Sequence, residues 1–284
     1  MRSQIRWTLT AVSVTILAMS VFVIGCSDDD ETPVGPTSGS VLFSFDHVVG
    51  GQPLVLQSST TVFPYTNAAG NPFNVDELEY FVSDFRLHRV DGTSVGVEDF
   101  LFREAEDDDT RSYTWAGVPT GTYTAVSFTY GLDAEKNVTG GLPILALEWP
   151  EDWGGGYHYM EMNGHYQASD GTTTLPYKLH TGRRFLKNAN DPCPPACPTG
   201  PDVVAHHHYF EVKKSVAPFT VKGGETWEIV WTMDVTGWYE APIFDMNTYF
   251  PTSMSGIMPH LEAQALLMQN GMSNVYSVVD AVKN

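Results

Sequence analysis

Residues 112–133 read SYTWAGVPTGTYTAVSFTYGLD, and this stretch predicts the fold class most clearly. β-Branched and aromatic residues alternate with small or polar ones in both halves, a pattern typical of strands. Pro119 and Gly121 interrupt the alternation, and both residue types favour a turn. The stretch therefore predicts two strands joined by a tight turn in a β-hairpin.

The same two-residue period recurs along the chain, between turns rich in Gly, Pro, Asn and Asp. One clear case places Trp227, Ile229, Trp231 and Met233 on one face of a strand. The predicted strands are 40–48, 60–65, 77–90, 112–116, 121–130, 156–166, 173–181, 206–213 and 225–235.

A helical pattern is confined to residues 257–270, with Leu261, Ala265 and Met268 on one stripe and Gly271 at its end. Many short strands and one helix predict an all-β fold. We expect an antiparallel β-sandwich with long loops and one short C-terminal helix.

Residues 1–26 have the parts of an export signal: Arg2 and Arg6, an apolar run, and Val-Ile-Gly before Cys26. The small residue before Cys26 predicts a lipoprotein signal peptide with Cys26 lipidated. Ser27 follows the cysteine, where Asp would favour retention in the inner membrane, so we expect an outer membrane lipoprotein facing the periplasm or the cell surface.

Residues 27–40 are acidic and rich in Pro, Gly and Ser, so they predict a disordered tether. Residues 41–284 are expected to form one domain. The formal net charge is −19 and becomes about −21 once Arg2 and Arg6 are removed with the signal peptide. Such a surface repels phosphate backbones, which argues against nucleic acid and favours cations as partners.

After lipidation of Cys26 the remaining thiols are Cys193 and Cys197, in DPCPPACPTG. A pair of cysteines in an oxidising compartment predicts a disulfide. A soft-metal site built from the two thiolates is the alternative.

Motifs of common hydrolases, phosphate-binding loops and dinucleotide folds are absent from the sequence. The acidic runs 28–30 and 107–109 are expected to be solvated loop charge, with calcium binding as a possible alternative. The sequence thus favours a binding protein over an enzyme.

Nine His and ten Met suit the nitrogen and sulfur ligands that copper prefers. In GYHYMEMNGHY a strand would place His158, Met160 and Met162 on one face, either as a Cu(I) chelate or as core. In the triple histidine 206–208, only His206 and His208 could share a face if the segment is a strand.

Several separated segments resemble the MbnP-like family of copper-binding proteins associated with methanobactin systems. The similar segments, which span about residues 41–240, are FSFDHVVGGQPL (43–54), FNVDELEYFVSDFRLHRVDG (73–92), VPTGTYTAVSFTYGLD (118–133), GYHYMEMNGHY (156–166) and YKLHTG (177–182). The resemblance implies an extracytoplasmic β-sandwich that binds copper through His. It also implies, in some members, a tryptophan oxidised to kynurenine by a di-haem cytochrome c peroxidase-like partner.

Carried over by position, the resemblance implies His47 and His180 as leading ligands, with His158, His206 or His208 as further donors. Met160 and Met162 stand where the family has aliphatic residues, so they are expected in the core. In LEWPEDWGG (147–155), Trp149 or Trp153 would be the modifiable indole, although Pro-Glu-Asp departs from the usual pattern.

The sequence therefore predicts a non-catalytic lipoprotein that binds Cu(I) or Cu(II). Two or three neutral nitrogen donors suit Cu(I), whereas structural zinc sites usually have four ligands. The alternatives are a carbohydrate- or protein-binding β-sandwich module and an enzyme that uses copper redox chemistry.

Lipidation at Cys26 is expected to determine location, because a triacylated cysteine holds a protein on a membrane more stably than one acyl chain does. Cys26→Ser should release the protein or block its processing, as measured by membrane fractionation. A variant that fractionates with membranes as fully as the parent protein would contradict this.

Overall fold

The computed structural model describes residues 37–144, 147–188, 191–192, 204–252 and 256–284. The predicted lipidation site Cys26, the signal peptide and the predicted Cys193–Cys197 disulfide lie outside these residues. None of the described helices is long and apolar enough to cross a membrane.

Ten of the described strands lie between residues 38 and 181. They are β1 (Ser38–Val49), β2 (Gln52–Pro53), β3 (Tyr65–Thr66), β4 (Pro72–Phe73), β5 (Glu77–His88), β6 (Ser94–Glu104), β7 (Ser112–Pro119), β8 (Gly121–Tyr130), β9 (Met160–Gln167) and β10 (Thr174–Thr181). The later strands are β11 (Arg184–Asn188), β12 (Asp191–Pro192), β13 (Val204–His206), β14 (Phe210–Val221), β15 (Thr226–Asp234), β16 (Tyr276–Val278) and β17 (Val282–Lys283). Two α-helices are present, α1 (Met246–Tyr249) and α2 (Leu261–Asn270).

Within the described residues, the strands form two large sheets and one small one, which confirms the all-β sandwich class. One large sheet has β16, β15, β1 and β2 in order, with β7 also on β1 and β17 on β15. The other has β14, β8, β5, β9, β4 and β3 in order, with β6 on β5 and β10 on β9. The small sheet has the order β12, β11, β13.

Aromatic side chains fill the space between the two large sheets. Phe43 of β1 stacks on Phe85 of β5 with ring centroids 4.9 Å apart. Phe128 of β8 meets Trp231 of β15 edge-on at 4.8 Å. Each such ring contributes roughly 1.5–3 kcal/mol by its burial, so these contacts hold the two sheets face to face.

The predicted hairpin at 112–133 is wrong in its pairing, although both of its strands are present. β7 pairs with β1 in one sheet, while β8 pairs with β5 and β14 in the other. Pro119 and Gly121 therefore mark a crossing between sheets. Turn residues specify a reversal of the chain, but they do not specify whether the flanking strands pair or pack face to face.

A hairpin that the sequence analysis does not identify joins β5 to β6. Asp91 Oδ1 accepts a hydrogen bond from the Thr93 backbone at 2.8 Å, and Gly92 has φ +85°. Asp-Gly is a strong hairpin signal. The sequence analysis does not identify β6 because charged residues and a glycine interrupt its alternation of apolar and polar residues. The predicted strand 60–65, by contrast, is reduced to β3.

One strand pair departs from the antiparallel expectation. β1 and β15 are parallel, from Ser40 opposite Thr226 to Val48 opposite Asp234. The other strand pairs among the described residues are antiparallel. β1 begins at Ser38, so it includes the last residues of the predicted tether.

Helix α2 buries a face other than the predicted Leu261–Ala265–Met268 stripe. Its buried residues are Ala263, Gln264, Leu267 and Asn270. The two polar ones are buried because they satisfy backbone groups: Asn270 donates to Trp238 O at 2.8 Å, and Gln264 donates to His180 O at 2.7 Å.

Gly271 does not end the helical region, which continues as a π-helical turn over Gly271–Val275. A Cβ at this position would lie 2.3 Å from Phe210 Cζ. The glycine is therefore required for close packing, a role that its position in the sequence does not distinguish from a helix cap.

His47, a predicted ligand, lies in a partly buried polar contact between the sheets. Its Nε2 is 2.9 Å from the hydroxyl of the fully buried Tyr80. Burial, reinforced by the charge of Arg103 and opposed by Asp46, lowers the pKa of His47 to about 3. The side chain is therefore neutral in the folded protein.

Acidification is expected to lower the free energy of unfolding through His47. Its folded pKa of about 3 lies below the unfolded value of 6.5, so its contribution is complete above pH 6.5 and is lost as the pH falls toward 3. One such group contributes at most about 1.4 kcal/mol per pH unit over that range. Chemical denaturation should show a shallower pH dependence for His47→Gln, which does not titrate, and an identical slope would contradict this assignment.

Candidate metal centre

His158, Glu161 and His180 form a cluster in which one potential ligand atom from each lies within 4.8 Å of the others. It is the one group of three or more such side chains found among the described residues. Glu161 lies on β9 directly opposite His180 on β10, and His158 precedes β9. The structure thus brings together two of the predicted ligands with a carboxylate that the sequence analysis does not identify.

The alternation of β9 places the cluster on the outer side of its sheet. Met160 and Met162 are fully buried in the core, as the resemblance implies, while Glu161 and Asn163 face the other way. The predicted shared face of His158 with the two methionines is wrong. β9 begins only at Met160, so the two-residue count does not extend back to His158.

Hydrogen bonds fix the orientation of the His158 ring. Its Nδ1 donates to Leu147 O at 3.0 Å and lies 2.9 Å from Glu161 Oε1. A carbonyl oxygen only accepts, so the proton of the neutral ring is on Nδ1. Nε2 therefore carries the lone pair.

A chain of three side chains fixes His180 in the same way. The carboxylate of Glu77 accepts from Asn163 Nδ2 at 2.6 Å, which turns Asn163 Oδ1 toward His180. His180 Nε2 donates to that oxygen at 2.8 Å and is 3.8 Å from Glu161 Oε2. Nδ1 of His180 is thus the unprotonated nitrogen of its neutral ring.

These two nitrogens, His158 Nε2 and His180 Nδ1, are buried and have no hydrogen-bond partner among the described residues. The two residues are 5% and 7% exposed, and their ring centroids lie 5.1 Å apart with an angle of 83° between the ring planes. A buried lone pair without a partner is destabilising by about 1–3 kcal/mol. A metal ion that coordinates such a nitrogen would remove that penalty, and imidazole nitrogen is a common metal ligand, so the donor set fits a metal.

Electrostatics keep the cluster ready for a cation at neutral pH. Burial lowers the pKa of His180 to about 4, an effect opposed by Glu161 and reinforced by His158 and Lys178. Burial would raise the pKa of Glu161, but its hydrogen bond with His158 and the charge of His180 outweigh that and lower it. The centre therefore combines a neutral imidazole with an ionised carboxylate.

Carboxylates continue from the cluster across the sheet. Glu104 of β6, Glu79 of β5 and Glu161 of β9 stand opposite one another in consecutive register. Burial and the neighbouring charges, Glu77 first among them, raise the pKa of Glu79 to about 7. This acidic row gives the face a negative field on the side of the two imidazoles.

Trp149 contacts the cluster directly, whereas Trp153 contacts Trp149. The Trp149 ring meets the His158 ring edge-on at 4.7 Å, is 1% exposed, and has no described partner for Nε1. Trp153 lies 6.0 Å from Trp149. Gly182 permits this packing, because a Cβ there would be 2.6 Å from Trp149 Cε3.

The remaining predicted ligands lie outside the cluster. His47 contacts Tyr80, as described above. His208 Nδ1 donates to Gly182 O at 2.7 Å, and His206 stands opposite Arg184 on β13. In the acidic run 107–109, Asp107 accepts from the Asp109 backbone at 2.9 Å and caps a 3-10 turn; the run 28–30 lies outside the described residues.

One signal in the sequence could have identified Glu161, which is the outward residue between two core methionines. The position of His180 opposite it depends on the register of β9 and β10, which only the fold shows. Leu147 O could not have been found, because it depends on how the loop before β9 folds back.

Comparison with known proteins gives one family and one structure. The MbnP family model matches residues 38–257, a range that contains the whole cluster. The solved structure of MbnP from Methylosinus trichosporium is 15% identical, covers 86% of this chain and 98% of its own, and has a TM-score of 0.49. No curated protein matches the chain.

Gly182→Ala is expected to displace the Trp149 indole and to destabilise the protein by about 1–3 kcal/mol, as overpacking does. Near-UV circular dichroism and chemical denaturation would measure both effects. Gly256→Ala is the matched control, since a Cβ there meets no atom of the described residues within 4 Å. Equal, small effects of the two substitutions would show that Trp149 can move freely.

Proposed function

The chain belongs to the MbnP family, and we propose that it is a non-catalytic copper-binding protein whose metal is held by His158 and His180. The observation that carries this proposal is the pair of buried, unpartnered nitrogens, His158 Nε2 and His180 Nδ1. Copper is the metal that the sequence resemblance implies, and imidazole nitrogen is among its preferred ligands.

The proposed ligands suit copper better than structural zinc. Two neutral nitrogens leave the coordination shell incomplete for zinc, which in structural sites takes four ligands, whereas Cu(I) accepts few. Bound copper would supply a soft Lewis acid at this position. The protein's own contribution is to hold each ring in one tautomer, which leaves one buried nitrogen unprotonated on each.

Glu161 acts in this proposal as a positioning residue. Its carboxylate lies 2.9 Å from the protonated Nδ1 of His158 and near Nε2 of His180. A carboxylate behind a ligand histidine orients the ring and raises its basicity. Asn163, itself held by Glu77, performs the same function for His180.

Trp149 is the residue that we assign to the tryptophan modification implied by the resemblance. It contacts His158 directly, whereas Trp153 contacts Trp149. Peptide mass mapping of protein isolated from its native host should find kynurenine at 149 if a di-haem cytochrome c peroxidase-like partner acts on this chain. An unmodified Trp149 would remove that partner from the proposal without affecting the histidine ligands.

We further propose that the protein works outside the cytoplasm, held to the outer membrane by lipid on Cys26. The export signal and the acidic tether of the sequence support this placement. A strongly negative domain on a tether would attract copper ions from the surrounding space.

Replacing His158 or His180 by Ala is expected to abolish high-affinity copper binding, since either change removes one of two buried donors. Titration with a competing Cu(I) chelator would measure the affinity. His47→Gln should bind as the parent protein does. Retained affinity in both alanine variants, with loss in His47→Gln, would move the site to His47.

Glu161→Gln separates the positioning role from ligation. We expect it to weaken copper binding by about 10–100-fold, the usual effect of removing a partner of a ligand histidine. A folded parent protein without stoichiometric copper would favour the carbohydrate- or protein-binding module instead.

A further inference from the structure

Arg184, on β11, is a buried cation for which the described residues provide no counter-charge. Its side chain is among the buried polar groups at 3% exposure. Nε and Nη1 of its guanidinium have no hydrogen-bond partner among the described residues. From this geometry we propose a second binding site, for a carboxylate or a similar planar oxyanion, at Arg184.

Further polar groups without a described partner lie on the strand that pairs with Arg184 and directly after it. His206 stands directly opposite it in the small sheet, and His206 Nε2 and His207 Nδ1 are also buried without a described partner. The face of Trp153 lies 5.7 Å from the guanidinium carbon. Burial lowers the pKa of Arg184, and no charge from a described residue offsets that effect.

Arg103 shows what a satisfied buried arginine looks like in the same fold. It is also 3% exposed, yet it donates to the carbonyl oxygens of Phe45, Glu104 and Asp107 and to the Thr110 hydroxyl. Arg184 is equally buried, yet no residue in the described part of the chain accepts a hydrogen bond from its Nε or Nη1. The contrast identifies a buried cation with unused donors.

A carboxylate matches the missing partner in charge and in shape. The planar guanidinium forms two parallel hydrogen bonds to a carboxylate, and such charge-assisted pairs are among the stronger hydrogen bonds. The Trp153 face offers only a weak cation–π contact by comparison. An oxyanion at Arg184 would therefore neutralise the guanidinium charge and accept hydrogen bonds from Nε and Nη1.

The site is distinct from the candidate metal centre but adjoins it through contacting aromatic rings. Trp153 lies between Arg184 and Trp149, and Trp149 forms a wall of the His158 cluster. Binding of an oxyanion at Arg184 does not require a metal ion, so it can be tested on metal-free protein.

Acetate is the probe, titrated against chloride at constant ionic strength. The Tm of the metal-free protein should rise by about 2–4 °C at an acetate concentration of about five times its Kd. In Arg184→Met this acetate-dependent rise should disappear. Without acetate, Arg184→Met should be as stable as the parent or more so, because removing an unpaired buried charge is favourable.

Arg103→Met is the matched control, since it removes an equally buried but fully bonded arginine. It should destabilise the protein and keep the response to acetate. If it does not fold, Arg86→Met, on the sheet surface, should keep the response instead. Arg184→Lys should retain the charge but bind acetate several-fold more weakly, because an ammonium group cannot form the bidentate pair of hydrogen bonds that a guanidinium forms.

Two outcomes would overturn the proposal. One is an equal acetate-dependent shift in the parent protein and in Arg184→Met. The other is no shift in the parent together with lower stability of Arg184→Met, which would mean that the chain itself satisfies the guanidinium.

Discussion

The alternation of side chains along β9 is the constraint on which the rest of the candidate centre depends. Burial of Met160 and Met162 in the aromatic core fixes which face of the strand points inward. Glu161 and Asn163 must then point outward, because successive residues of a strand face opposite sides. A register slip of one residue would place the carboxylate in the core, so the stability of the core and the placement of Glu161 have the same origin.

The centre is completed by segments that are far apart in the sequence. The loop before β9 contributes Leu147 O and Trp149, and β10 contributes His180. Helix α2 holds the backbone on both sides: Gln264 donates to His180 O and accepts from the Gly182 amide. The histidines therefore approach each other because a loop and a helix clamp the end of β10, not because of any local sequence spacing.

Sequence patterns predict the strands well because alternation reports burial on one face, a local property. They do not predict the pairing of β7 and β8, since a turn signal carries no information about the partner strand. The same limit applies to the candidate metal centre. His180 lies in the cluster and His47 does not, and only the tertiary fold reveals that Tyr80 is the partner of His47. Glu161 is overlooked because carboxylates are common in an acidic chain.

The parallel pairing of β1 with β15 has a consequence for the order of folding. Ser40 meets Thr226 across that pair, so the first strand finds this partner only after most of the chain has been synthesised. β1 also lies between β15 and β7, which makes it a central strand of its sheet. Non-local pairing of this kind slows folding, because a long loop must close before its contacts form. The nascent chain consequently stays without a closed sandwich until β15, its last long strand, is available for pairing.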